Sequence, residues 1–151
     1  MSPHAWRPSP QCSHTEEHTA DMWIVGEGEG CSETLSSMLS SLYLIIAEEY
    51  LLGRSMPQEF EVTGASSEEA FVRFLAEALY LLDGEGVVLV DPTIVVQPRD
   101  GSMKIRVSGK GHRFKIPEGV SGIEVKAITY HDPVFTMCPG GTCRARVLVD
   151  I

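Results

Sequence analysis

Acidic groups lie at both ends of the part of the chain that we expect to fold. Asp21 precedes the first apolar run, and Asp150 with the α-carboxylate of Ile151 closes the last one. If the strands that carry them are neighbours, hard oxygen donors converge, and a cation such as Ca²⁺ or Mg²⁺ would relieve their repulsion. The spacing alone leaves open the simpler interpretation that these acids are exposed to solvent.

A second metal-binding pattern, His14-Thr-Glu-Glu-His18, matches the H-x-x-E-H spacing of some zinc peptidases. That chemistry needs both histidines on one face of a helix and a further acidic ligand. No helical periodicity surrounds the motif, which favours a chance match. A free-standing metal-dependent hydrolase is the functional alternative, whereas His18 could simply orient the strand start by bonding a neighbouring carbonyl group.

Two further motifs are weaker. Cys138 and Cys143 flank a Pro-Gly-Gly-Thr turn and are expected to face each other across a hairpin, because a zinc site would require a second close pair. Residues 26–30 alternate glycine with glutamate and place carboxylates where a nucleotide loop would bind phosphates. We therefore expect a turn there.

The net charge of −9 argues against generic binding to nucleic acid, which requires phosphate neutralisation. Residues 16–91 contain 16 acidic and two basic residues, whereas residues 92–151 contain nine basic and five acidic residues. Several of the basic side chains share a strand face in the second half: Lys104 with Arg106, and Arg144 with Arg146. This pattern is typical of a solvated sheet face, and a docking surface for an acidic partner or RNA is the alternative.

Periodicity indicates the elements that position these groups. Apolar residues recur at helical spacing over residues 32–52 and 67–83, and Ser66 begins the second helix with a capping box. Asp100-Gly101 predicts a tight hairpin, and residues 110–115 read as a basic loop. Apolar or alternating runs predict strands over residues 22–25, 59–63, 87–90, 93–97, 104–108 and 144–151. Residues 123–137 predict one long strand or a bent strand pair with its bend at Asp132-Pro133.

These elements predict an α+β fold in which two helices pack on a mixed β-sheet sandwich. The 151 residues suffice for one domain of ordinary size. We expect a disordered, proline-containing tail over residues 1–15 and a single domain over residues 16–151. No apolar run reaches the roughly 18 residues that span a bilayer and no secretory signal is recognisable, which favours a cytoplasmic protein with reduced cysteines.

Four segments together resemble the archease family. They are Glu-His-Thr-Ala-Asp at 17–21, Leu-Tyr-Leu-Leu-Asp-Gly-Glu at 79–85, Val-Lys-Ala-Ile-Thr-Tyr-His at 125–131 and Ala-Arg-Val-Leu-Val-Asp-Ile at 145–151. Each motif is weak alone, but their order and separation fit the family. The resemblance covers about residues 16–151, and the segment rich in glycine and acid, residues 25–34, departs from the family pattern.

The resemblance implies a non-catalytic accessory protein that activates an RtcB-type RNA ligase in tRNA splicing and RNA repair. Such activators promote guanylylation of the ligase by GTP and its multiple turnover, and they contact RNA only through the ligase complex. The resemblance also implies a divalent cation, described as calcium in the family, bound by Asp21, Asp150 and Ile151. It further implies a role in activation for Lys126, with His18 as a candidate for the ligase interface. A chaperone-like interaction module is the remaining alternative.

Lys126 stands in an apolar run that we predict to be a strand. A lysine is rarely buried without a partner. We therefore expect its ammonium group to pair with Asp21, Asp150 or Glu77.

Overall fold

A computed structural model of the protein describes residues 4–8, 13–17 and 21–151. Over these residues the chain forms nine strands and two helices. In chain order they are β1 (His4–Trp6), β2 (Ser13–Glu17), β3 (Asp21–Glu29), α1 (Cys31–Ile46), β4 (Tyr50–Gly64), α2 (Ser67–Glu85), β5 (Val87–Arg99), β6 (Ser102–Lys115), β7 (Ala127–Ile128), β8 (Val134–Met137) and β9 (Thr142–Asp150).

The strands form two sheets, ordered β1-β4-β6-β5 and β2-β3-β9-β7, and β8 also pairs with β9. The α+β class with two helices is confirmed. The pairings between the described strands are all antiparallel, so the expectation of a mixed sheet is wrong. The reason is that β6 lies between β4 and β5, antiparallel to both, and separates the two strands that the α2 crossover would otherwise make parallel neighbours.

The two helices contact both sheets and bring their apolar faces into one core. Helix α1 packs against β3, β5 and β9, and α2 packs against β4, β5, β6, β7 and β8. Buried side chains from every layer join this cluster, among them Ile24, Leu42, Phe74, Ile105 and Val147. Burial of this apolar surface is the main driving force that holds the sheets in place. Within the described residues, no helix is long and apolar enough to cross a membrane.

The alternating glycines after the first apolar run do not form the expected turn but extend β3. Gly26 and Gly28 face α1, where a Cβ atom on Gly26 would collide with Met38, and one on Gly28 would lie 2.7 Å from the backbone nitrogen of Thr34. Only glycine permits this close approach between strand and helix. The turn into the helix falls at Gly30, whose φ is 104°.

Helix α1 ends earlier than its periodicity predicted. The chain becomes extended at Ala47, and β4 begins at Tyr50. Tyr50 and Leu52 are buried. A short apolar run is compatible with a buried strand as well as with a helix, so the pattern alone does not locate the end of α1. Tertiary pairing of β4 with β1 and β6 therefore decides the boundary.

The expectation of a basic loop is wrong, whereas one of the two alternatives for residues 123–137 is confirmed. The basic residues 110–115 belong to β6, where pairing with both β4 and β5 overrides their low strand propensity. Residues 123–137 form the bent strand pair and not one long strand, since β7 and β8 pair separately with β9. The chain between them bends at Asp132, whose φ is 49°.

Two strands lie in the N-terminal part that we expected to be disordered. Strand β2 pairs with β3, and β1 pairs with β4. Trp6 anchors β1, with its ring centroid 5.9 Å from that of Tyr43 and 5.7 Å from that of Tyr50, and Arg7 bonds Glu49 at 3.0 Å. This aromatic anchor is the physical reason why residues 4–8 are ordered.

Candidate metal site

The first residue of β3 and the last residue of β9 stand opposite each other. Asp21 and Asp150 are direct cross-strand partners, so their side chains project from the same face of the sheet with Cβ atoms about 5 Å apart. Ile151 follows at once. Asp21 is half-buried and Asp150 is exposed, so both carboxylates can reach a cation that enters from solvent.

The backbone at this position is held from both sides. Strand β9 lies between β3 and β7, and Ala127 is the second cross-strand partner of Asp150. The backbone N–H of Lys126 donates to the carbonyl oxygen of Asp150 at 2.8 Å. The next residues along the two strands, Met22 and Val149, are buried in the core. The sheet therefore fixes the acidic pair and directs its carboxylates away from the helices.

Two carboxylates directly opposite each other repel, which costs stability unless a positive charge intervenes. Their hard oxygens suit Ca²⁺ or Mg²⁺ rather than a soft metal. Among the residues described, no group of three or more His, Cys, Asp and Glu side chains could hold a metal ion. A cation at Asp21 and Asp150 would therefore need further oxygens, for which water and an α-carboxylate at Ile151 are the available kinds of donor.

Beyond the acidic pair, the same face of the sheet carries basic side chains that are already engaged. The guanidinium carbon of Arg146 lies 4.2 Å from the centroid of the Trp23 ring. Arg144 Nε lies 3.2 Å from Glu27 Oε1. The face thus continues from two acids to a cation–π contact and then to an ion pair.

Two basic residues of the other sheet, Lys104 and Arg106, also have an acidic partner. Glu61 on β4 bonds Lys104 at 3.0 Å and approaches Arg106 at 3.7 Å. The hydrogen bond from Lys104, reinforced by both positive charges, lowers the pKa of Glu61. These contacts favour a solvated sheet face over a basic docking surface for RNA.

Comparison with known proteins identifies the family. The model of the Archease protein family (MTH1598/TM1083) matches residues 14–151. The chain belongs to the archease family. It is 33% identical over 135 residues to protein archease of Pyrococcus furiosus, covering 89% of this chain and 95% of that one, and 30% identical with the same coverage to protein archease of Pyrococcus abyssi.

Solved archease-like structures share the fold. Protein 1598 of Methanobacterium thermoautotrophicum superimposes with a TM-score of 0.71 at 19% identity, covering 93% of this chain and 99% of that one. The Thermotoga maritima protein described as an archease and possible chaperone gives 0.58 at 20% identity, covering 89% and 94%. At these identities the likeness concerns the fold alone. Strand β1 lies outside the matched archease region.

Lys126, from the Lys-Ala segment of the archease resemblance, is not where we expected it. It precedes β7 in an exposed segment rather than within an apolar strand. Within the described part of the chain it forms no ion pair with Asp21, Asp150 or Glu77. The ammonium group remains in water and needs no partner, although the Lys126 backbone contacts Asp150.

The structure does not support a peptidase site at the H-x-x-E-H match. His14 lies in strand β2, opposite Val25, so residues 13–17 cannot present the motif on a helix as zinc peptidases do. His18, which the archease resemblance also covers, lies outside the described residues.

The hairpin cysteines do not face each other. Cys143 pairs with Met137, and the backbone N–H of Cys138 donates to the carbonyl of Thr142 at 2.7 Å. Cys138 is exposed whereas Cys143 is buried. Cys143 lies instead beside the start of α1, the helix that begins at Cys31, where the Thr34 hydroxyl approaches the Cys143 carbonyl oxygen at 3.4 Å. No local sequence pattern indicates this contact.

Proposed function

We propose that the protein is a non-catalytic activator of an RtcB-type RNA ligase, and that Asp21 and Asp150 hold a divalent cation. Membership of the archease family supports an accessory role. The observation that carries the cation proposal is the cross-strand pairing of Asp21 with Asp150 at the ends of β3 and β9. Hard oxygen donors suit Ca²⁺ or Mg²⁺, and calcium is the favoured ion because the family resemblance implies it.

In this proposal the carboxylates of Asp21 and Asp150 bind the cation. Where the chain terminates at Ile151, its α-carboxylate adds oxygens next to Asp150. When bound, the cation neutralises the acidic pair and supplies a Lewis acid to which phosphate oxygens can bind. The exposed ammonium group of Lys126 lies on the segment next to Asp150 and contributes a positive charge toward an anionic group of the partner.

The ligase is the partner, and RNA is contacted only through the ligase complex. The net charge of −9 and the pairing of Lys104 and Arg106 with Glu61 favour a protein partner over direct RNA binding. Activation then requires that this protein bind the guanylylation-competent conformation of the ligase more tightly than the other conformations. Such preference raises the rate of GMP transfer and allows repeated turnover without any reaction on the activator itself.

The test measures transfer of radiolabelled GMP from GTP to purified ligase, with and without the full chain. We expect the chain to raise the guanylylation rate and the number of RNA ends joined per ligase. Asp21→Asn and Asp150→Asn should lose this effect. Asp132→Asn, which changes an 85% exposed side chain, should retain it. An unchanged guanylylation rate with the unmodified chain would show that the proposal is wrong.

A chaperone-like module is the second candidate, favoured by the description of the Thermotoga relative as a possible chaperone and by the exposed apolar side chains of Tyr80, Tyr130 and Met137. It predicts suppression of aggregation of unrelated unfolded proteins. That activity should not respond to Asp21→Asn, since the acidic pair takes no part in apolar contact. The same variant therefore separates the two candidates.

A further inference from the structure

Two cysteines that are distant in the sequence meet where α1 begins. Cys31 is the first residue of the helix. Cys143 lies in β9 opposite Gly28 of β3. Thr34 lies one turn after Cys31 on the same face of α1, and its hydroxyl lies 3.4 Å from the carbonyl oxygen of Cys143. The side chain of Cys143 leaves the sheet on the same face as Gly28, which the first turn of α1 covers. The structure therefore brings both sulfur atoms to the start of α1, where they could be joined.

The backbone around this thiol pair is tightly held. The hydroxyl of Thr34 donates to the carbonyl of Gly30 at 2.9 Å and approaches the carbonyl of Cys143 at 3.4 Å. Gly28, which has no Cβ atom, lets the first turn of α1 sit directly on the sheet. These contacts hold the first turn of α1 against β9 at Cys143, so the fold itself places the two cysteines close together.

We propose that Cys31 and Cys143 are a disulfide-forming pair that reacts with small-molecule disulfides such as oxidised glutathione. The Cys31 thiolate attacks one glutathione sulfur, which releases one glutathione thiolate and leaves a mixed disulfide. Cys143 then loses its proton and attacks the Cys31 sulfur, and the second glutathione thiolate leaves. Two cysteine thiols are oxidised to one protein disulfide, and one glutathione disulfide is reduced to two thiols.

The order of attack follows from access. Cys31 is half-buried, whereas Cys143 is fully buried, so an external disulfide reaches Cys31 first. Burial, and then the neighbouring Cys143, raise the pKa of the Cys31 thiol to about 11. Since only the thiolate reacts, oxidation should be slow at neutral pH and accelerate roughly tenfold per pH unit below that pKa.

The crosslink would tie the start of α1 to β9 at the end of the ladder away from the acidic pair. Cys143 and Asp150 are seven residues apart on one strand, about 23 Å at the usual rise per residue. The disulfide should therefore stabilise the fold without changing cation binding at Asp21 and Asp150. Its presence or absence has no bearing on whether the protein activates a ligase.

The test incubates the full chain with oxidised glutathione and maps disulfides by peptide mass spectrometry without reduction. We expect one linked peptide pair containing Cys31 and Cys143, and a midpoint of thermal unfolding about 10 °C higher that reductant reverses. Cys138→Ser and Cys12→Ser should behave like the unmodified chain. Circular dichroism checks that each variant is folded.

Cys143→Ala gives the sharper measurement, because it removes the resolving thiol but leaves the first attack. This variant should accumulate glutathione on Cys31, and Cys31→Ser should give no linked peptide. The proposal is overturned if the linked peptide contains Cys138 or Cys12, if Cys31 remains a thiol at high pH, or if Cys143→Ala accumulates no mixed disulfide on Cys31.

Discussion

At one end of the β3–β9 ladder Asp21 opposes Asp150 on an accessible surface, and at the other end Gly28 opposes Cys143 beneath the first turn of α1. We call these the acidic end and the packed end. The packed end has no room even for a methyl group, whereas the acidic end accumulates like charge that nothing among the described residues neutralises. The difference shows that one pair of strands joins a tightly packed end to an acidic end, and the acidic end is where we propose that a cation binds.

The packed end also determines which way the acidic end faces. Side chains alternate along a strand, so a register shift of one residue would turn Asp21 or Asp150 toward the core. Gly26 and Gly28 prevent such a shift, because any other residue facing α1 would collide with the helix. The orientation of the acidic pair therefore depends on two glycines that lie five and seven residues from Asp21 along β3 and carry no reactive group.

The largest effect is expected from Gly28→Ala at the packed end. Its Cβ atom would lie 2.7 Å from the backbone nitrogen of Thr34, and backbone cannot move aside cheaply. We expect the free energy of unfolding in urea to fall by about 3 kcal/mol. Gly53→Ala is the matched control, because its Cβ atom would meet Arg113 at an ordinary 3.5 Å, and it should change stability by less than about 1 kcal/mol. Equal losses in both variants would contradict the close approach of α1 to β3.

An intermediate effect of opposite sign is expected at the acidic end. In chelator-treated protein, Asp150→Asn should raise the free energy of unfolding by about 0.5 kcal/mol, because it removes repulsion between direct cross-strand partners. With excess Ca²⁺ the order should invert, since only the unmodified chain gains stability from binding. Thermal unfolding of both proteins measures this, with Asp132→Asn as control. Destabilisation of the chelated protein by Asp150→Asn would mean that the two carboxylates do not repel each other.

The smallest effect is expected for the ion pair on the outer face near the packed end. Glu27 and Arg144 have side chains that are 42% and 51% exposed, so solvent screens their attraction. A double-mutant cycle of Glu27→Gln and Arg144→Gln should give a coupling free energy of about 0.3 kcal/mol that declines with added salt. A coupling that salt leaves unchanged would show that this pair matters more than its exposure indicates.

Local chemistry correctly predicted the Asp100-Gly101 turn and the Ser66 cap. Asp100 and Gly101 both have positive φ, 32° and 86°, and join β5 to β6 in the tight hairpin that Asp-Gly predicts. Ser66 caps α2 by accepting from the backbone N–H of Glu69 at 3.1 Å. The second half of the expected capping box differs, since the Glu69 carboxylate bonds Arg73 at 2.9 Å.

Tertiary packing determined the structural features that local sequence patterns did not predict. A glycine that permits a turn also permits a helix to pack closely, and the sequence around Gly26 and Gly28 fits both cases. In the same way, the acidic pair could be proposed from its place at the two strand ends, but only the neighbour relation of β3 and β9 brings Asp21 to Asp150. The proximity of Cys31 to Cys143 was not predictable, because it arises from packing of α1 against β9.

The most direct test of the central claim is a calorimetric titration of Ca²⁺ into the chelator-treated full chain and into Asp21→Asn, Asp150→Asn and Asp132→Asn. We predict one saturable site in the unmodified chain and in Asp132→Asn, at least tenfold weaker in either of the other two variants. Binding that is absent from the unmodified chain, or equally strong in all four proteins, would contradict a cation site formed by Asp21 and Asp150.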